Sequence, residues 1–212
     1  MKVVVPNVEK FVCDGENITE LDLSHCLELK RLYCGYNQLT ELDLSHCPNL
    51  QTLYCSNNQL TELDLSHCLE LKTSTCDYNQ LTELDLSHCP NLKELYCFNN
   101  QLTELNLYHC PNLQTLYCGF NKLTQLNLSH CPELNNLYCI NNQITELDLS
   151  YCPKLQLLDC HDNLLEDLNI LNNDKLIHYS WKNNPIDREE TNTIKKMKEY
   201  YRNNYTSSYV LK

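Results

Sequence analysis

Glycine is scarce in this chain, with three in 212 residues. Loops that cradle phosphates need glycines for close backbone approach, so nucleotide-binding loops are excluded. No run of about 18 apolar residues occurs, so no segment reads as a membrane-spanning helix. The start, Met1-Lys2-Val3-Val4-Val5-Pro6, reaches a proline after three valines, whereas a secretory leader needs an apolar run of roughly 7–15 residues. The chain is therefore expected in the cytoplasm, or in a host's cytoplasm if its source is an intracellular bacterium or virus. Positive charge is also short, with 16 Lys+Arg against 28 Asp+Glu and a formal net charge of −12. Nucleic acid and anionic lipid both call for Lys and Arg, so neither is an expected partner. A basic protein or a cation suits this surface better.

Cysteine, by contrast, is abundant, and its spacing decides the fold. Eight cysteines fall at 13, 34, 55, 76, 97, 118, 139 and 160, and seven more at 26, 47, 68, 89, 110, 131 and 152; within each set the step is always 21. Asparagines keep the same step from Asn37 to Asn184. An odd number of thiols at strict periodicity is a repeat signature, not an irregular disulfide framework.

Each repeat has two halves. In one coil these are Leu50-x-x-Leu53-x-Cys55-x-x-Asn58 and Leu60-x-x-Leu63-x-Leu65-x-x-Cys68. The central alternation of period two predicts a short strand with one face buried. An inward Asn at the bend can bond backbone groups that the bend leaves unpaired. Pro48, Pro90, Pro111, Pro132 and Pro153 follow the second cysteine and mark a corner, because proline cannot donate to a ladder. Eight 21-residue coils run from Val8 to Lys175, and a half coil follows to Ile186. At about 4.8 Å per coil the stack is about 40 Å long. The expectation is a β-solenoid over residues 8–186, with an N-terminal extension at 1–7. Because both halves carry the strand pattern, two parallel sheets on opposite walls are expected, with no room for helices between them. Beyond Pro185, the capping-box form Asp187-Arg188-Glu189-Glu190 and the helical spacing of Ile194, Met197, Tyr201 and Tyr205 predict a short helix over roughly 187–203, covering the open end of the stack, within a tail of 187–212.

The L-x-x-L-x-C-x-x-N-x-L runs, such as Leu92 to Leu102, and the L-T-E-L-D-L that follows resemble the leucine-rich repeats of the 21-residue, cysteine-ladder class, the internalin J-type repeats. The resemblance covers the repeats alone, roughly residues 8–186. It implies a right-handed superhelix with a stacked cysteine ladder and a role in protein binding.

In a solenoid each repeat position becomes a column, so function must lie in the outward columns. The first strand displays Tyr33, Tyr54, Thr75, Tyr96, Tyr117 and Tyr138, and just beyond the inward cysteines come Tyr36, Tyr78, Phe98, Phe120 and Ile140. Tyrosine supplies large contact area with few rotors, which suits an interface; the same rings could instead serve only to stabilise the sheet by stacking between coils. The second strand displays Glu41, Asp43, Glu62, Asp64, Glu83 and Asp85, with Glu20, Asp22, Glu104, Glu146 and Asp148 in the same columns. These carboxylates recur about every 5 Å at a mutual cost of about 0.8 kcal/mol in water. They form either a solvated acidic face or a site for a basic partner or Ca²⁺.

His25, His46, His67, His88, His109 and His130 each precede a cysteine. Adjacent residues point opposite ways, however, and no C-x-x-C spacing occurs, so no metal ligand is assigned. Ser, His and Asp recur on an open surface without a unique pocket or a G-x-S-x-G turn, so no catalytic residue and no cofactor is assigned. One coil breaks the pattern: Ser74 takes a buried leucine position and Thr75 a tyrosine position. The reading is a non-catalytic protein-interaction scaffold that meets a protein partner through its outward columns, a basic one if the acidic wall is used. The alternative is a cation- or metal-binding stack built on the Asp, Glu and His columns. The sequence does not speak to oligomeric state.

Overall fold

A computed structural model describes residues 1–188 of the chain. Short strands recur along it: β1 Lys2–Val4, β2 Lys10–Val12, β3 Glu20–Asp22, β4 Arg31–Tyr33, β5 Thr52–Tyr54, β6 Thr73–Thr75, β7 Glu94–Tyr96, β8 Thr115–Tyr117, β9 Asn136–Tyr138, β10 Leu157–Asp159 and β11 His178–Ser180. β2 and β4 to β11 form one nine-stranded parallel sheet whose order follows the chain. Its register advances by one repeat at each step, as in Leu32↔Leu53 and Leu95↔Leu116. The chain is thus a parallel β-solenoid with a 21-residue coil.

The inward residues of each coil fill one continuous core. Leu50, Leu53, Cys55, Leu60 and Leu71 are wholly buried, as are their apolar counterparts in the other interior coils, while Val8, Phe11 and Tyr179 at the two ends are partly buried. A buried leucine contributes about 1.5–3 kcal/mol, but only because the next coil covers it. All fifteen cysteines are buried and unlinked. Burial pushes the Cys47, Cys68, Cys89, Cys110, Cys131 and Cys152 thiols up to about 12, so at neutral pH they pack as small hydrophobes rather than react as thiolates.

The asparagine column binds successive coils to each other. Asn58 Oδ1 accepts the Leu39 N–H at 3.0 Å, and its Nδ2 donates to the carbonyls of Cys34, Cys55 and Ser56 at 3.0, 3.0 and 3.4 Å. Asn79, Asn100, Asn121, Asn142 and Asn163 repeat this pattern.

The second wall differs from expectation. Two sheets on opposite walls were predicted, but among the described residues the second wall holds only the pair β1–β3. The second half of each coil makes a backbone bond to the next coil at its start, as from Gln80 N–H to Leu60 O at 2.8 Å, and then closes its turns locally. Cys47 N–H donates to Leu44 O at 2.9 Å and Leu50 N–H to Cys47 O at 3.1 Å, which makes two consecutive tight turns. Residues 2–4 of the N-terminal extension pair in parallel with Glu20–Asp22, and Val5 is buried in the core, so this segment is joined to the stack. At the other end Trp181 and Ile186 are buried in the final half coil, followed by a 3-10 turn at Pro185–Arg188. The capping helix predicted over 187–203 lies, beyond that turn, outside the described residues.

Candidate functional site

The outward face of the nine-stranded sheet carries the predicted tyrosines as two stacks. Tyr33 and Tyr54 are stacked with ring centroids 4.8 Å apart. Tyr96, Tyr117 and Tyr138 form the second stack, at 4.9 and 4.1 Å. The strands hold these rings at the ladder spacing, so the stacking follows from the parallel register. All five rings are half-buried. Burial, followed by the charges of neighbouring tyrosines and carboxylates, raises the pKa of Tyr54 and Tyr96. Thr75 separates the two stacks.

A second file of rings lies beside that break. Tyr78 meets Phe98 at 5.6 Å, and Phe98 meets Phe120 at 4.8 Å. Gly119 makes room for it: a Cβ there would lie 2.7 Å from Ile140 Cγ1 and 3.2 Å from Phe98 Cδ2. Tyr36, Tyr78 and Phe120 are exposed by 69%, 48% and 43%, and they share a backbone feature that the sequence reading missed. The second residue after each inward cysteine has left-handed backbone, with φ of 54° at Tyr36, 53° at Tyr78 and 53° at Phe120. Other coils place Gly15, Asn57, Asn99, Asn141, Asp162 or Asn183 there, residue types that tolerate this conformation. The Gly and Asn of those coils were the available signal.

The acidic columns divide by role. Asp43, Asp64 and Asp85 each accept the backbone N–H of the serine two residues on, at 2.9, 2.8 and 2.8 Å. The serine's side chain and N–H together hold the three carboxyls below the usual carboxylate range, the side chain leading at Asp43 and the N–H at Asp64 and Asp85. Asn106 and Asn127 make the same turn without charge, both at 3.0 Å. The aspartates are thereby accounted for as side-chain-closed turns. Glu41, Glu62 and Glu83 join them in lining an open groove along the second wall. The six histidines, His25 to His130, are exposed while the cysteines beside them are buried, as alternation requires. Among the described residues, no group of three or more His, Cys, Asp or Glu side chains is arranged to hold a metal ion.

Comparison with known proteins agrees with this geometry. Residues 27–67 and 90–130 match the family described as Leucine Rich repeats (2 copies). The functional domain of InlJ from Listeria monocytogenes, described as including a cysteine ladder, is 40% identical with a TM-score of 0.83, over 84% of this chain and 40% of that one. Internalin C2 of the same organism is 25% identical with a TM-score of 0.79, over 82% and 80% of the two chains. A leucine-rich repeat protein of Leptospira interrogans is 28% identical with a TM-score of 0.72, over 80% and 50%. No curated protein matches. The chain is a leucine-rich repeat solenoid. Within that class it belongs with the 21-residue, cysteine-ladder repeats similar to those of InlJ, and it spans about 40% of the length of the InlJ domain. No helix among the described residues is long and apolar enough to cross a membrane.

Proposed function

We propose that this solenoid is a non-catalytic scaffold that takes a protein partner on the aromatic face of the nine-stranded sheet. The observation that carries this reading is the exposure of Tyr36, Tyr78 and Phe120 on left-handed backbone. A bulky residue there costs roughly 1–2 kcal/mol relative to relaxed backbone, yet Tyr36 has no ring contact among the described residues that would offset it. Stacking between coils therefore does not account for the whole column. The half-buried rings of Tyr96 and Tyr117 lie on the same sheet and supply rigid contact area. The acidic groove is a weaker candidate, because the turns already account for its aspartates. The cytoplasm remains the proposed compartment, since fifteen unlinked thiols suit a reducing environment.

The test is a double variant, Tyr96→Ala with Tyr117→Ala, used as bait beside the parent chain. We expect a cooperative melt in both and at least a fivefold loss of the captured partner in the variant. Equal capture, with the contact mapped by cross-linking to the acidic groove, would move the site to the second wall.

A further inference from the structure

The rings and the charges of the aromatic face are laid out about its middle strand. β7 is the fifth of the nine strands. Phe98 lies two residues past it, and Tyr78 and Phe120 flank Phe98 from the coils on either side, at 5.6 and 4.8 Å. Charges of opposite sign lie three strands away in each direction. The β4 coil presents Lys30, bridged to Glu9 at 2.8 Å, and the exposed Arg31. The β10 coil presents Asp159 and Asp162, which contact the ring nitrogens of His161 at 2.5 and 3.3 Å. Residues 51–57, 114–120 and 135–141, which hold β5, β8 and β9, carry no charge.

Such a face matches itself when a second copy is turned over. A twofold axis along β7 reverses the order of the coils and keeps the strands aligned, as packed sheets prefer. β4 then faces the partner's β10. Each column meets its own column, so Tyr33 opposes the partner's Asp159 and Tyr36 the partner's Asp162. Arg31, two residues before Tyr33 on the same face of β4, comes within a side chain's reach of the partner's Asp159. At the ends of the sheet Asp14 opposes the partner's Lys182. On the axis the adjacent Lys93 and Glu94 meet the same pair, which joins opposite signs. A twofold axis along the stack would instead set Arg31 against Arg31 and Asp159 against Asp159. The glutamates of the acidic groove, Glu41, Glu62 and Glu83, lie on the second wall, so joining the aromatic faces keeps these like charges apart.

We infer that the partner of the aromatic face is a second copy of this chain, packed with its coils antiparallel across the Tyr78, Phe98 and Phe120 rings. The inference rests on the aromatic-face reading above and names the occupant of that face. From β4 to β10 the face spans about 34 Å, and from Arg31 to Tyr36 about 16 Å. Two copies therefore bury roughly 1,100 Å² in total, the low end for a specific interface. Contact of that size gives a reversible dimer with a Kd of about 1–100 μM.

Sedimentation equilibrium of the full chain, from about 1 to about 300 μM, brackets that range and should show a monomer–dimer equilibrium. Tyr78→Asn with Phe120→Asn places at two left-handed positions the residue that Asn57, Asn99 and Asn141 supply in their own coils, so the fold is kept. Dimerisation should weaken at least tenfold. Arg31→Glu alone and Asp159→Arg alone should each be monomeric, because either change sets like charges together at both ends of the twofold. Mixed one to one, the two variants should form a dimer, since every Arg31–Asp159 contact then joins opposite signs. A parent chain that stays monomeric throughout overturns the inference. So does a dimer that survives the ring substitutions, or a mixture of folded charge variants that stays monomeric. Should Asp159→Arg not fold, the ring variant still decides. The two readings fail separately. A monomeric parent whose capture of a different protein is lost in the Tyr96/Tyr117 double variant leaves the aromatic face standing and removes the second copy.

Discussion

On one wall of the coil, Leu50-x-x-Leu53-x-Cys55-x-x-Asn58 places β5 in a nine-stranded sheet. On the other, Leu60-x-x-Leu63-x-Leu65-x-x-Cys68 buries its leucines equally well and yields no strand. Apolar alternation is common to both, so burial alone does not select a ladder. The two walls differ at the bend. An asparagine there reaches two backbone groups of the preceding coil and two carbonyls of its own, as Asn58 does. A cysteine offers only a weak thiol donation to the preceding coil, from 3.5 Å at Cys26 Sγ to Val5 O to 3.9 Å at Cys110 Sγ to Cys89 O. The asparagine wall is therefore bound from coil to coil through a continuous ladder, while the cysteine wall closes its turns within each coil and is tied to its neighbours only at isolated points, such as Asn49 Nδ2 to Leu27 O at 2.8 Å.

Removing the tie should have the largest effect. Asn100→Ala deletes the bond from Leu81 N–H and those to the carbonyls of Cys76, Cys97 and Phe98. A loss of about 3–5 kcal/mol is expected, against about 1 kcal/mol for Cys110→Ala on the opposite wall. Urea midpoints for the two variants compare the walls directly, and equal losses would mean that the bend residue does not set the difference.

Next comes the flaw within the laddered wall. Ser74 is wholly buried in a leucine column and its hydroxyl has no hydrogen-bond partner among the described residues. Ser74→Leu should add about 1–3 kcal/mol, by filling space and removing an unsatisfied group. A melting temperature that does not rise would show that the coils have already closed around the serine.

Asp77 gives a pH-dependent handle on the same coil. Burial raises its pKa from 3.8 to about 6, so folding favours the protonated form. Its stabilising contribution is full below about pH 4 and is lost as pH rises through about 6. Asp77→Asn keeps an acceptor for the Phe98 N–H without the buried charge. The variant should be about 1–2 kcal/mol more stable than the parent at pH 7.5 and equal to it at pH 3.5. Paired melts at the two pH values measure this, and a gain of the same size at both would rule out burial of the charge as its cause.

The smallest effect belongs to the second wall. Asp43→Ala removes the acceptor of the Ser45 N–H and should cost about 0.5–1 kcal/mol. Asp43→Asn, which copies the Asn106 and Asn127 turns, should change stability by less than about 0.5 kcal/mol. If the two substitutions have the same effect in thermal melts, charge rather than turn closure is what matters there.

Much of this was legible in the letters. The step of 21 gave the coil, the core, the sheet register and the inward asparagines, because a packed column demands the same residue at every turn. The second sheet was misread because alternation reports which side chains are buried and not where the backbone bonds go. The tyrosine stacks were visible as a column, whereas the left-handed backbone under Tyr36, Tyr78 and Phe120 was not, since aromatic residues normally signal against that conformation. The turn role of Asp43 could have been read from the D-L-S triplet and from its uncharged copies at Asn106 and Asn127. The break at Ser74 and Thr75 was apparent as an irregularity; its relation to the rings on either side needed the register.

The unslipping register also makes each coil a cassette. Cutting out any 21 consecutive interior residues would join two ends that already fit, bringing the same asparagine, thiol and leucine partners together across the scar. The rod would shorten by about 4.8 Å per cassette removed, and duplicating one would lengthen it by as much. Loss or gain of whole repeats can thus slide the Thr75 coil along the stack in fixed increments while keeping the asparagine and leucine register of the core.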